Sequence, residues 1–190
     1  MTVEGRRTAN PRGQGGRLRE ELLAAALRLL EADPGVVFTL RGVAREAGVA
    51  APSVYDHFPR LPDLVAAVRD QCAADLLAAL ERVSRRSVRK EPAERLRAVV
   101  RAYLRRGLEA PGLYAAAMAG PAGTMVVDLF ADLLPGTVPG RATQAGRRAA
   151  ALTLWTRLHG IVALRTAAPG TGWPALDRQL DTALAGLLRD

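Results

Sequence analysis

The stretch TLRGVAREAGVAAPSVYDHF, residues 39–58, constrains the fold more than any other part of this chain. Thr39 stands where a helix N-cap belongs, and Leu40, Val43, Ala44 and Ala47 then form one apolar stripe at helical spacing. Gly48 follows where the chain must reverse, because glycine enters the left-handed region without a Cβ penalty. Pro52 suits the first turn of a next helix, where its missing N–H costs nothing; Val54 and Phe58 then face inward, and Ser53, Tyr55, Asp56 and His57 outward. Helices this short do not persist alone in water, since nucleation is unfavourable and each makes too few hydrogen bonds to offset it. They must be clamped to a larger body at a fixed angle. Two arrangements satisfy that: a helix-turn-helix, whose second helix fits a DNA major groove, or an ordinary corner between two helices of a bundle.

The rest of the chain supplies the body. Leu18, Leu22, Leu23, Ala26, Leu29 and Leu30 recur at helical spacing from Arg17 and stop near Asp33-Pro34-Gly35. After Pro59 and Pro62 a long pattern runs from about Leu61 through Leu80, and further helical patterns cover about 92–108, 111–118, 122–134, 142–167 and 174–188. Strand-type alternation is hard to find and aromatic residues make up only 4% of the chain. The expectation is an all-α protein of nine helices: a basic, Gly- and Pro-rich arm over 1–16 read as disordered, a three-helix domain over 17–60 and a larger helical domain over 61–190.

The formal charge of +8 suits a polyanionic partner, although residues 1–60 hold nine basic against seven acidic residues and so carry little of the excess. Cys72 is the only cysteine, which rules out an internal disulfide and suits a reducing cytoplasm. No apolar secretory run follows MTVEGRR, and the longest uncharged run, 110–127, is broken by Gly and Pro and falls short of the ~20 apolar residues that span a bilayer. The two histidines lie 102 positions apart and the single lysine, Lys90, precedes Glu91, so neither zinc-ligand spacing nor a Walker sequence is present. No G-x-S-x-G occurs. Neither catalysis, a cofactor nor a metal is expected. The alternative of a different class is an all-helical small-molecule carrier or enzyme that uses a cavity in its bundle.

Thr39, Val43, Ala44, Ala47, Gly48, Val49, Val54, Tyr55, His57, Phe58 and then Leu64 follow a pattern similar to T-x-x-x-[IV]-A-x-x-A-G-V-x-x-x-x-[LIV]-Y-x-[HY]-F-…-L. That pattern resembles the TetR family of transcriptional regulators, most specifically over residues 17–66. LWTRLHGIVAL, residues 154–164, resembles the W-x-x-x-H-G segment in the ligand-binding half of one branch of the family. The resemblance implies a homodimeric regulator, by default a repressor, that binds a palindromic operator in double-stranded DNA and responds to a small-molecule effector. It also implies that the last two helices pair with their copies, and Leu152, Leu158, Ile161, Leu164, Leu180, Leu184 and Leu187 offer apolar surface for this. Two positions depart from the pattern. Leu61 stands where members commonly carry a phosphate-reaching lysine, leaving Arg60 beside it as a substitute, and Ala51 replaces a polar base-reading residue.

The expected DNA-binding residues are Arg17, Thr39, Arg41, Ser53, Tyr55, Asp56, His57 and Arg60. Thr39 offers a hydroxyl and a helix N-terminal N–H to a phosphate, or simply caps its helix. Arg41 reaches a phosphate or a guanine edge, or is merely solvated. Tyr55 resembles the family's phosphate-contacting tyrosine, with core packing as the other possibility. Ser53 and Asp56 are candidate base readers, Asp56 through cytosine N4. His57 donates to a phosphate or packs over the helix end, and Arg6, Arg7 and Arg12 of the arm follow a phosphate track or enter the minor groove. The expected ligand-binding residues are Tyr103, Tyr114, Met118, Phe130, Trp155 and His159, set among alanines and leucines that leave room for an apolar or aromatic guest.

Overall fold

The computed structural model describes residues 15–134, 142–185 and 187. Among them are nine α-helices and no strand: α1 (Gly15–Ala32), α2 (Leu40–Glu46), α3 (Pro52–Tyr55), α4 (Leu61–Arg86), α5 (Pro92–Glu109), α6 (Pro111–Met118), α7 (Ala122–Leu133), α8 (Gln144–Ala167) and α9 (Leu176–Ala185). The chain divides into two compact units, residues 1–71 and 72–190, and the division falls inside α4.

In the first unit, Leu22, Ala25, Ala26 and Leu30 of α1 are buried together with Leu40, Val43 and Ala44 of α2, Val54 of α3, Phe58 and the α4 residues Leu64 and Val68. α2 begins as its sequence requires: the Thr39 hydroxyl accepts the Gly42 N–H at 3.0 Å. A Cβ at Gly42 would stand 2.9 Å from that same oxygen, so glycine keeps the cap intact. At the other end Gly48 takes φ +69°, its N–H donates to the Arg45 carbonyl at 3.1 Å, and the Val49 N–H donates to the Ala44 carbonyl at 3.0 Å. These two bonds form a Schellman ending, which stops α2 and aims the chain into α3. Pro52 opens α3 at its first turn. α3 is shorter than the spacing of Val54 and Phe58 suggests: it ends at Tyr55, and turn hydrogen bonds from the N–H groups of His57 and Phe58 to the Val54 carbonyl carry the chain onward. α1 starts at Gly15, inside the segment expected to be a loose arm; Arg6, Arg7 and Arg12 lie outside the described residues.

The second unit buries Leu80 of α4, Leu96, Val99, Val100 and Leu104 of α5, Val126 and Val127 of α7, and Leu154, Leu158 and Val162 of α8. Pro92 and Pro111 open α5 and α6, and the Thr143 hydroxyl caps α8 by accepting the Gly146 N–H at 3.1 Å. At Gly107 an added Cβ would lie 2.7 Å from a Val162 methyl, so glycine permits the close crossing of α5 and α8. α9 is pinned to α5 by two ion pairs, Arg97–Asp181 and Arg101–Asp177. It is pinned to α8 by Arg165, which donates to Gln179 at 2.7 Å and to the Pro174 carbonyl.

One expectation is corrected here. Leu158, Leu180, Leu184 and Leu187 are at most 6% exposed within a single chain, so they belong to its own core and have no surface left for a partner. Leu152 and Leu164, at 51% and 57% exposed, remain outside. No single helix among the described residues is long and apolar enough to cross a membrane; α6 and α7 pass only as a pair, and that pair is bent by 90°.

Candidate functional site

The arginines of the first unit differ in how their charges are engaged. Arg17 pairs with Glu21 at 2.9 Å and Arg28 with Glu46 at 2.8 Å. Arg60 is bound by both oxygens of Asp63, at 2.8 and 3.2 Å, and the same carboxylate accepts the Arg60 backbone N–H at 3.1 Å. That hydrogen-bonded pairing holds the Asp63 carboxyl below the usual range and raises Arg60. A phosphate would therefore have to compete with Asp63 for Arg60 and with Glu21 for Arg17. Arg19 lies 5.1 Å from the centre of the Phe58 ring.

Arg41 and Arg45 differ from these. Both are exposed on α2, one helical turn apart on the same face, and neither has an ion pair among the described residues. Arg45 was not among the residues expected from sequence, yet its i, i+4 relation to Arg41 is visible there. Tyr55 is 48% exposed, so the core-packing reading of this tyrosine is set aside. Asp56 and Thr39 are exposed, while Ser53 and His57 are half-buried. α2 and α3 thus place two free guanidiniums, a phenol and short polar side chains on a small module that buries Leu40, Val43, Ala44 and Val54 in its core. Side chains of these types can meet phosphates by charge and base edges by hydrogen bonds.

In the second unit the six residues expected to form a ligand site do come together. The rings of Tyr103 and Tyr114 meet edge-on at 5.6 Å, and Tyr103 meets Phe130 edge-on at 5.8 Å. His159 stacks on Tyr114 at 5.7 Å and on Trp155 at 5.5 Å. The Tyr103 and Tyr114 hydroxyls are 2.6 Å apart, the Tyr114 hydroxyl is 2.6 Å from His159 Nδ1, and the Tyr103 hydroxyl lies 3.9 Å from Met118 Sδ. This is a wire that can run in either sense. With Nδ1 unprotonated, Tyr103 donates to Tyr114 and Tyr114 to the imidazole; with Nδ1 protonated, the donors reverse and Tyr103 turns to the sulfur.

Trp155 Nε1 is buried and, among the described residues, has no hydrogen-bond partner. Its ring lies against α7, where an added Cβ at Gly123 would come within 3.0 Å of it. Gly123 reads in the sequence only as a helix breaker; its role as a floor for the indole appears only in three dimensions.

Burial is the first cause that raises both phenols. Tyr114 is pushed up to about 12, and Tyr103 goes further, helped by the Tyr114 hydroxyl and opposed by the Trp155 indole N–H, which lies near the Tyr103 phenol without reaching hydrogen-bond geometry. The ordinary tyrosine value is 10.0, so the unfolded chain releases these protons first. Stability is therefore expected to hold up to about pH 10 and to fall as pH rises toward 12, with Tyr114→Phe flattening the fall; denaturant titrations at intervals across this range check it.

A helix-turn-helix module with free guanidiniums on one face, followed by a helical unit with a buried polar and aromatic cluster, defines the class: a DNA-binding regulator that carries its own sensing unit. Residues 22–68 match the family described as bacterial regulatory proteins, tetR family, and residues 96–189 match the tetracyclin repressor-like C-terminal domain. The chain belongs to the TetR family of DNA-binding transcriptional regulators. An uncharacterized HTH-type transcriptional regulator of Mycobacterium tuberculosis is 29% identical over 153 residues, 77% of this chain and 69% of that one. A protein of unknown function from Rhodococcus sp. RHA1 has a similar structure, with a TM-score of 0.74 at 27% identity, covering 95% of this chain and all of the other. SmeT, the repressor of the Stenotrophomonas maltophilia multidrug efflux pump SmeDEF, shares the fold at a TM-score of 0.65 and 23% identity, over 90% of this chain and 91% of its own. SmeT is also known in complex with triclosan.

Proposed function

We propose that this regulator is a cytoplasmic repressor that binds a palindromic operator as a homodimer and is released from it by a small apolar or aromatic molecule. The observation that carries the DNA reading is the exposed trio Arg41, Arg45 and Tyr55 on α2 and α3, with no carboxylate engaged by either guanidinium among the described residues. Arg41 and Tyr55 meet phosphates, while Ser53 and Asp56 stand where base edges are read. A dimer on its operator blocks polymerase by occupancy alone.

The pairing surface is the outer face of α8. Leu152 and Leu164 are exposed there, and Leu164 lies with Gly160, Ile161, Thr156 and Trp173 along a groove of about 770 Å³ between α8 and α9. Gly160 has open space where a Cβ would be, which lets another helix approach closely. The sensing reading is supported by the cluster around Trp155. An apolar guest with one hydrogen-bond acceptor would satisfy the unpartnered indole N–H and stack with the same rings. Such a guest matters only if it favours one arrangement of the two DNA-binding units over another, because equal affinity for both shifts nothing.

The test is operator binding across a salt series. Arg41→Ala should weaken binding by about tenfold and lower the slope of log K against log salt by about 0.9, as one lost phosphate contact requires. Tyr55→Phe should weaken binding at every salt concentration with little change in slope, since no charge is lost. If both variants match the wild type throughout, the docking is wrong.

A further inference from the structure

Away from both sites, α4 and α5 enclose a groove of about 680 Å³ that collects Arg82, Arg86, Arg101, Arg105 and Arg106 against a single carboxylate, Glu109. Each helix contributes a pair at i, i+4, Arg82 with Arg86 and Arg101 with Arg105, so the like charges share a face. Such pairs destabilise a helix unless something neutralises them. The nearby acids do little of that. Asp177 holds Arg101 at 2.8 Å, and Glu81 is engaged by Arg85 at 3.2 Å. Arg82, Arg86, Arg105 and Arg106 have no ion pair among the described residues.

A merely solvated basic face would be convex, with each guanidinium splayed into water. Here the arginines rim a concavity with Ala79, Ala98 and Ala102 in its lining, and their small side chains leave apolar room between the charged walls. A cleft lined with one sign of charge focuses its field on whatever enters. Guanidinium forks match phosphate oxygens two at a time, a geometry that a lysine would not supply. The volume lies in the range that holds a small organic ligand.

We propose that the α4–α5 groove is a binding site for a phosphorylated small molecule of nucleotide size that carries at least two phosphates. The phosphates lie between the arginine pairs, and the organic body rests on the alanines. Glu109 repels negative charge at one end of the groove and leaves the arginine pairs as its anion-binding part.

The test is calorimetric titration of the intact protein with pyrophosphate, with ATP as a probe bearing an organic body, and with sulfate, at 50 and 200 mM salt. Saturable binding of one ATP per chain is expected, at least tenfold tighter than sulfate and weaker at the higher salt. Arg86→Ala/Arg105→Ala should lose about a hundredfold, on the order of tenfold per charged contact. The corresponding double lysine variant should fall between, and Arg41→Ala, on the DNA face, should bind ATP as the wild type does. These arginines are exposed, so circular dichroism should show an unchanged fold. The site is refuted if neither pyrophosphate nor ATP saturates, if sulfate binds as well, or if the double alanine variant binds like the wild type. It is likewise refuted if a short non-operator duplex binds through Arg86 and Arg105 more tightly than ATP does, since the groove would then be a DNA surface.

Discussion

Leu184→Glu is expected to unfold the second unit, whereas Leu164→Glu is expected to leave a folded monomer. Both residues sit on the last two helices, and the apolar pattern alone treats them alike. Leu184 is 2% exposed in a core shared with Leu180 and Leu158, so a carboxylate placed there loses its water and finds no built partner. The loss amounts to several kcal/mol, comparable with the whole stability of an ordinary domain. Leu164 is 57% exposed and lines the groove between α8 and α9, so its replacement leaves the chain's own packing almost untouched and charges only the proposed pairing face. Circular dichroism and sedimentation equilibrium separate the two outcomes. A well-folded Leu184→Glu would contradict the core assignment; a Leu164→Glu variant that stays dimeric and holds its operator would contradict the pairing face.

Phe58→Ala is expected to make operator binding fail at a lower temperature without touching a DNA-facing residue. Phe58 is 1% exposed, its N–H donates to the Val54 carbonyl at 2.8 Å, and the Arg19 guanidinium stands over its ring. It follows α3 and anchors that four-residue helix to the core of its unit. Removing a buried phenylalanine ring costs about 3–5 kcal/mol, and a unit this small has little reserve. The Arg19 charge would also lose its aromatic partner. Operator binding followed as temperature rises should be lost at least about 10 °C earlier than in the wild type, while Tyr55→Phe, which alters only an exposed hydroxyl, should keep the wild-type melting behaviour. Equal thermal loss in Phe58→Ala and wild type would mean that α3 is held by something other than this ring.

The local devices are legible in the residues alone, because their causes are local. A hydroxyl before Leu40, a glycine at 48 and a proline at 52 each satisfy or relieve backbone groups within a few residues, and the cap, the Schellman turn and the helix start follow from them. The meeting of Tyr103, Tyr114, Met118, Phe130, Trp155 and His159 was also legible, since scarce aromatics on amphipathic helices have one core in which to bury.

The tertiary structure alone decided which charges are free and which leucines are inside. Arg17, Arg41 and Arg60 look alike as letters, yet Glu21 and Asp63 engage the first and last and leave Arg41 open. α8 is apolar on more than one side, so its periodicity does not say whether Leu158 or Leu164 faces inward; the close crossing at Gly107 and Val162 and the clamps from Arg97, Arg101 and Arg165 settle it. The arginine pairs of α4 and α5 are visible in the sequence as two separate i, i+4 spacings. That they line one groove is a property of how the two helices lie, because side chains on different helices become neighbours only through packing.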